Sequence, residues 1–131
     1  MNAFYLNLQS TAESPACIRV QFKRPIPLEG AYECSLEELK TPEMADDKKV
    51  KYIRANFISP QLINNARRPF LRIIYDSSSS FSSQYREVDT SQLSEIEITI
   101  EDSDKELIKF SPGQFTSALL HFRKQDGIRM Q

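Results

Sequence analysis

The chain has 131 residues, a formal net charge of −1 and a sequence pI near 5.9. This length predicts one domain with a core of its own, and the near-neutral charge argues against a basic nucleic-acid surface over the whole molecule or a polybasic membrane patch. No apolar run reaches the roughly 18–20 residues of a membrane helix, and the N-terminus does not resemble a signal peptide, so we expect a protein of the cytosol or nucleus.

The first two predicted strands lie before a proline-rich break. Residues 4–8 alternate apolar and polar side chains, and their terminal position predicts an edge strand, or part of an N-terminal arm over residues 1–14. Residues 18–22 repeat the alternation with one strongly polar face. Two prolines and a glycine in residues 25–30 then interrupt any hydrogen-bonded ladder, so the chain is expected to reverse or cross there.

Two further strands are predicted between this break and residue 60. Residues 32–37 alternate directly after a glycine, and Pro42 follows soon afterwards, which favours a strand although residues 35–40 alone could form a helical turn. Residues 50–57 predict a fourth strand with a possible bulge near Arg54. Its expected apolar positions are Val50, Tyr52, Ala55 and Phe57.

The middle of the chain alternates between ambiguous and clear segments. Residues 61–68 could form a short helix or an ordered loop, and we predict a loop. Residues 70–75 form a dense apolar run that predicts a strand buried on both faces. The serine-rich residues 76–83 predict a flexible surface loop, and residues 85–88 a brief strand.

The last third of the chain contains two long strands around which the rest is expected to be organised. Residues 95–101 place three isoleucines on one face and mostly glutamates on the other. Turn residues separate this strand from residues 105–110, and a second break precedes residues 115–122. That strand is apolar on both faces and predicts a central position. Residues 125–131 form a possible C-terminal tail.

Together these segments give about eight or nine strands, short turns and no convincing long helix. The pattern predicts an all-β fold, an antiparallel β-sandwich, with a single domain over residues 1–131. Nothing alternates strand with helix as a parallel sheet requires. The pattern does not choose between Greek-key and jelly-roll topology, because the pairing of early with late strands is not readable from it.

Candidate catalytic and metal-binding groups are sparse. The chain has one histidine, His121, within an apolar strand, and no Cys-x-x-Cys, His-x-x-x-His or Gly-x-Ser-x-Gly motif accompanies it. Glu101, Asp102 and Asp104 could in principle bind Ca²⁺, but solvated turn residues are the better interpretation. We therefore predict no enzymatic activity, no catalytic or metal-binding residues, and no cofactor.

The two cysteines are predicted to be buried free thiols. Cys17 and Cys34 fall inside predicted strands on opposite sides of the proline-rich turn. Free cysteine is among the most buried residue types, and disulfides are rare inside cells.

Basic residues form two doublets, each of which could contact an acidic neighbour or packaged nucleic acid. One doublet is Arg67 and Arg68; the other is Arg123 and Lys124, with Arg129 beyond it. Within a balanced composition such doublets are usually solvated surface charge.

Two blocks of the sequence resemble proteins encoded by Polinton/Maverick elements and adintoviruses. Residues 25–39, PIPLEGAYECSLEEL, resemble an early block of those proteins. Residues 85–124 resemble their ending, through the alternating isoleucines and the LHFRK segment. Tyr32 stands where the family usually has Trp, and Glu87 where it has Pro. The chain is also much shorter between the two blocks than the longer relatives.

The resemblance implies a single jelly roll with a minor capsid, or penton-like, role in a virion made in the host cytoplasm or nucleus. It implies self-association as a homopentamer and contact with a major capsid protein, with packaged DNA as a further possible contact and no membrane or small-molecule substrate. Terminal strands can pair across subunits, so the oligomer-interface candidates are Phe4, Leu6, Leu8, His121, Arg123 and Lys124. Arg67, Arg68 and Arg129 are the candidates for nucleic-acid or partner contacts.

An alternative hypothesis is a monomeric β-sandwich module that binds a peptide or a sugar through its loops. Such sites usually present exposed aromatic side chains. The chain has no Trp, and only Tyr75, Phe81 and Tyr85 lie near the serine-rich loop.

Overall fold

A computed structural model describes residues 2–44, 50–63, 66–75, 80–111 and 113–125, except for the side chains of residues 61–63, 66 and 67. These described residues contain ten β-strands and no helix. The strands are β1 Ala3–Gln9, β2 Cys17–Pro27, β3 Tyr32–Lys40, β4 Lys51–Ala55, β5 Gln61–Ile63, β6 Ala66–Arg68, β7 Phe70–Ile74, β8 Tyr85–Glu87, β9 Gln92–Glu101 and β10 Ser117–Lys124.

Eight of the strands form two four-stranded antiparallel sheets that pack face to face. Sheet A has the order β1-β10-β3-β8, and sheet B has the order β2-β9-β4-β7. The remaining two strands, β5 and β6, pair as a separate hairpin. The predicted all-β antiparallel sandwich is therefore confirmed.

The strand pairs are nested within one another along the sequence. β5 pairs with β6, β4 with β7, β3 with β8, β2 with β9 and β1 with β10. The chain is thus one long hairpin wound around a core. Two further pairs, β10 with β3 and β4 with β9, complete the two sheets. This connectivity is the jelly roll.

The core lies between the sheets and follows the predicted alternation in the two long strands. The inward side chains of β9 and β10 are at most 1% exposed. They are Ile96, Ile98 and Ile100 from β9, and Ala118, Leu120 and Phe122 from β10. β10 lies between β1 and β3, so its predicted central position is confirmed. Its other face is half-buried and contributes to the surface of sheet A.

A β-bulge explains why the sequence of β3 could pass for a helical turn. Leu36 pairs with Leu120 and Glu38 pairs with Leu119, so Glu37 is an extra residue in β3. The extra residue puts Leu36 and Leu39 on the same face, three positions apart, as in a helix. The prediction of a strand is confirmed.

The predicted apolar positions of β4 are half right: Ala55 and Phe57 are buried as predicted, but Val50 and Tyr52 are only half-buried. Ile53 and Ala55 are completely buried, whereas Tyr52 points away from the core and packs on Phe70 with ring centroids 5.5 Å apart. The Tyr52 ring is thus covered on the outer face by a neighbouring aromatic side chain rather than by the core. The bulge predicted in this strand near Arg54 needs correction. β4 alternates regularly, and the shift in its pairing with β7 between Ile53 and Arg54 makes Leu71 of β7 the extra residue.

Three further predictions for the middle of the chain need correction. Residues 61–68 contain the β5–β6 hairpin rather than a loop. Residues 64–65, which link the two strands, are not among the described residues. β7 is an edge strand, with Ile73 only half-buried. Residues 80–83 are attached to β3, where the Phe81 N–H donates to the Glu37 carbonyl at 3.2 Å. The rest of the predicted serine-rich loop, residues 76–79, is not described.

Both cysteines are free thiols, as predicted. Cys34 is completely buried, and burial raises the pKa of its thiol well above the usual value. Cys17 is half-buried, and burial together with Glu97 raises its pKa as well.

The two ends of the described chain meet at one end of the sandwich. The Lys124 N–H donates to the Asn2 carbonyl, and the Gln125 N–H donates to the Ala31 carbonyl, both at 2.7 Å. Gly30, beside them, has a φ of 90° and faces Lys124, whose Cε lies 2.7 Å from where a Cβ would stand. Any other residue would be strained at this φ, and its Cβ would require the end of the Lys124 side chain to move. Residues 126–131 of the predicted tail lie outside the described residues.

Candidate interaction surface

Side chains from four strands converge on the outer face of sheet A. The pairing places Tyr5 beside His121 and His121 beside Ser35, which is paired with Tyr85 on the other side. One step along, Arg123 is paired with Glu33. Paired residues of neighbouring strands point to the same face. We call Tyr5, Glu33, Tyr85, His121 and Arg123 the sheet A array.

His121 is held between two tyrosines. The Tyr5 ring stacks on its imidazole with centroids 4.5 Å apart, and the Tyr85 hydroxyl lies 2.6 Å from its Nδ1. Either the hydroxyl donates to a neutral ring or a protonated Nδ1 donates to the hydroxyl oxygen, depending on the tautomer. Tyr5 is the outermost member, at 62% exposure.

Arg123 connects the tyrosine of β8 to the glutamate of β3. Its guanidinium carbon lies 3.5 Å above the Tyr85 ring, and its Nε donates to the Glu33 carboxylate at 2.6 Å. The cation–π contact and the charged hydrogen bond fix the arginine in one orientation. The array is therefore held in place by contacts within the chain itself.

The other interface candidates occupy different positions. Phe4, Leu6 and Leu8 point inward from β1; Leu8 is buried, and Phe4 stacks on Phe122 with centroids 5.0 Å apart. They contribute to the core of the sandwich, and Tyr5 is the large side chain that β1 exposes. Lys124 lies over Gly30 at the end of the sandwich.

Of the residues proposed to contact nucleic acid, Arg68 is the one whose side chain is described. Its Nη2 donates to the buried carboxylate of Glu101 at 2.8 Å, and the side chain is 16% exposed. It is therefore committed to an internal ion pair. The side chain of Arg67 and all of Arg129 lie outside the described residues.

Glu101 was predicted to be a solvated turn residue, and this is wrong. It is 4% exposed and accepts hydrogen bonds from Arg68 and Thr99, while Arg54 lies 3.2 Å away. Asp102 does act as a turn residue, because its Oδ1 accepts the N–H groups of Asp104 and Glu106. Within the described part of the chain no group of three His, Cys, Asp or Glu side chains could hold a metal ion.

A cleft of about 280 Å³ lies at the end of the sandwich where the chain crosses from β2 to β3. It is lined by Phe4, Ile26, Pro27, Glu29 and Tyr32. The aromatic residues expected to serve a loop site are arranged differently: Tyr75 is 74% exposed, but Phe81 lies beneath Arg72 and Tyr85 beneath Arg123.

Sequence reasoning found His121 and Arg123 but missed Tyr5, Glu33 and Tyr85. The four strands of the array are brought together by pairings that span most of the chain, and alternation within a strand does not reveal them. One available signal was Tyr5, a large aromatic residue on the polar side of a strand.

No helix in the described residues is long and apolar enough to cross a membrane.

Comparisons with known proteins add little to this geometry. No protein-family model matches the chain, and no curated protein matches it. A solved structure with some similarity is the tripod (BppUct-A-L) from the baseplate of bacteriophage Tuc2009, with a TM-score of 0.37 and 8% sequence identity. The match covers 93% of this chain and 64% of that chain, so this chain spans less than two thirds of its length. A similarity this weak says nothing about function.

Proposed function

We propose that the protein is a minor capsid, penton-like subunit that assembles with copies of itself through lateral contacts. The observation that carries this proposal is where the two blocks of family resemblance lie. Residues 25–39 supply the end of β2 and most of β3, and residues 85–124 supply β8, β9 and β10. β10, β3 and β8 are neighbours in sheet A, so blocks far apart in sequence form one continuous surface.

The jelly roll suits a subunit of a shell because its core is complete within one chain. The sandwich buries the inner faces of both sheets and leaves the outer faces, edges and loops for contacts that close under rotational symmetry. The fold by itself hosts many functions. The proposal therefore rests on the surface of sheet A as well as on the topology.

The composition and order of the sheet A array support a protein-binding role. Tyrosine and arginine are enriched at protein interfaces and among the residues that dominate binding energy. Tyr85 and Arg123 are already fixed by mutual contacts, so little side-chain entropy would be lost on binding. Tyr5 stands exposed at the edge strand, where a neighbouring subunit would meet it.

Several finer features of the proposal come from the family resemblance. Five copies around a vertex, a major capsid protein as the neighbour and a place in the virion are the expectations that it carries. A contact with packaged DNA is the weakest of them, because Arg68 is held in an internal ion pair.

Self-association measured by size exclusion coupled to light scattering, followed by electron microscopy of the peak fractions, tests the proposal. Two tyrosines offer a matched pair of variants, since Tyr5 is 62% and Tyr75 74% exposed. We expect the wild type and Tyr75→Ala to form rings or larger assemblies, and Tyr5→Ala to shift the population towards monomer. Neither change removes a buried side chain, so both variants should fold.

A strict monomer at the highest soluble concentration, with no binding to a co-expressed major capsid protein, would overturn the proposal. Assembly that Tyr5→Ala leaves intact would preserve self-association and exclude the sheet A array as its surface.

The alternative, a monomeric module that binds a peptide, is favoured by the apolar cleft with Glu29 in its lining. This alternative would be supported if the protein is a monomer and binds a peptide on an array, and if Glu29→Lys abolishes that binding.

A further inference from the structure

Two arginines occupy inward-facing positions on the edge strands at one side of the sandwich. Arg72 of β7 is paired with Ile53, and Arg86 of β8 is paired with Cys34; both of these partners are completely buried. Paired residues share a face, so both arginines are directed inward. β7 and β8 are the edge strands of sheets B and A respectively.

Within the described residues, one buried N–H of these two guanidinium groups has no hydrogen-bond acceptor. Arg72 donates from Nη1 to the Ser82 carbonyl at 2.9 Å, and its guanidinium lies 4.6 Å above the Phe81 ring. The Nε of Arg86, in contrast, is buried with no hydrogen-bond partner in the described residues. A buried donor without a partner costs free energy and calls for an explanation, such as a bound water or ion.

Arg86 and Glu37 both act electrostatically on Arg72. Burial lowers the pKa of Arg72, the Glu37 carboxylate opposes that shift and the positive charge of Arg86 adds to it. Each carboxylate oxygen of Glu37 already accepts a hydrogen bond from a hydroxyl group, one from Ser35 at 2.7 Å and the other from Ser83 at 2.9 Å. Arg72 thus lies under the influence of a second cation and of one carboxylate that is itself hydrogen-bonded to two serines.

Protection of the sheet edges explains only part of this arrangement. Inward-pointing charges on edge strands discourage edge-to-edge association, and that accounts for having arginines on β7 and β8. It does not account for a guanidinium N–H that is buried without an acceptor. The Nε of Arg86 therefore needs a hydrogen-bond acceptor, and the described residues do not provide one.

We propose that Arg72 and Arg86 bind an oxyanion of the phosphate class at the β7–β8 side of the sandwich. The planar guanidinium presents several N–H donors in a fixed fork that matches tetrahedral oxyanions. The oxyanion satisfies the Arg86 Nε and offsets the repulsion between the two cations. This site is independent of the proposed self-association, because it lies on β7 and β8 and uses none of the sheet A array.

The direct test is an NMR titration of arginine Nε–Hε resonances in the full chain, with sodium phosphate against sodium chloride at matched ionic strength. We expect a saturable shift of the Arg86 resonance with phosphate and none with chloride, and a higher melting temperature in phosphate. Arg86→Gln should abolish the stabilisation by phosphate. Arg24→Gln, at an exposed position on β2, should leave it intact.

The measurement separates the possible results. An Arg86 resonance that does not respond at any phosphate concentration means that water alone satisfies the group, which overturns the proposal. Equal loss of stabilisation in Arg24→Gln means general charge screening and overturns it too. A single-stranded oligonucleotide that reproduces the shift would support the site and identify a phosphodiester as the source of the oxyanion. The wild-type titration decides the question even if Arg86→Gln fails to fold.

Discussion

Glu101 shows how one residue joins two parts of the fold. It ends β9 on the outer face of sheet B, where alternation predicts a solvated side chain. Arg68 of β6 and Arg54 of β4 instead surround its carboxylate, so the β5–β6 hairpin is attached to the sheet through an ion pair. A buried carboxylate in such a pair is costly to leave incomplete.

We expect Glu101→Gln to lower the free energy of unfolding by about 2–3 kcal/mol. A buried pair costs roughly 3–5 kcal/mol to break, and the value is reduced here because Arg54 is 36% exposed. Glu97→Gln is the matched control, because it removes an exposed ion pair with Arg19 and should cost less than about 1 kcal/mol. Urea unfolding at neutral pH measures both; similar losses would show that Glu101 is not a structural anchor.

For single residues, the sequence predicted well which side chains face the core, but poorly which neighbours the outward side chains contact. Ile96, Ile98 and Ile100 are buried as their alternation predicts, since a strand has only two faces. The neighbours of Glu101 and His121 could not be predicted, because they come from strands whose register depends on long-range pairing.

β1 illustrates how an edge strand serves two purposes. Its inward side chains complete the core over β10, and its outward side contributes Tyr5 to the sheet A array. The strand was predicted from alternation alone. Its partner was not, because β10 lies at the opposite end of the sequence and nothing within β1 specifies it.

The two faces of β1 should differ sharply in their contribution to stability. We expect Leu8→Ala to cost about 2–4 kcal/mol, since it removes a side chain that is 6% exposed and leaves a cavity. Asn7→Ala, one residue earlier and exposed, should change stability by no more than about 0.5 kcal/mol. Chemical denaturation monitored by circular dichroism compares them. Equal effects would mean that β1 does not pack as the structure shows.

Local detail in the middle strands could not be predicted from alternation. The bulge at Glu37 changes which positions of β3 face inward, and nothing in the alternation indicates it. In β4 the predicted apolar position Tyr52 lies on the outer face, where Phe70 of another strand covers it. The β5–β6 hairpin was missed because three-residue strands are too short to show a period.

For the molecule as a whole, the nested pairs make folding depend on distant contacts. β1 and β10 are paired although almost the entire chain separates them. The cost of closing such large loops precedes the gain from pairing. The count of strands predicted a sandwich; the jelly-roll connectivity came from the family resemblance, and the observed strand order agrees with it.

We expect refolding in roughly milliseconds to seconds, as for other all-β domains rich in non-local pairing. The chain has no Trp and five Tyr, so stopped-flow tyrosine fluorescence is the suitable probe. A double-jump protocol serves as the control, because it separates slow proline isomerisation from folding proper. Complete refolding within microseconds would contradict a transition state that requires the outer strand pairs.

The hydrogen bond between Lys124 and Asn2 has a practical consequence for engineering. Reporters joined directly to Asn2 and to Gln125 would leave the sandwich side by side at this end. A short linker between these two residues would join them covalently, so that a circularly permuted chain opened in a loop elsewhere should keep the nested strand pairs.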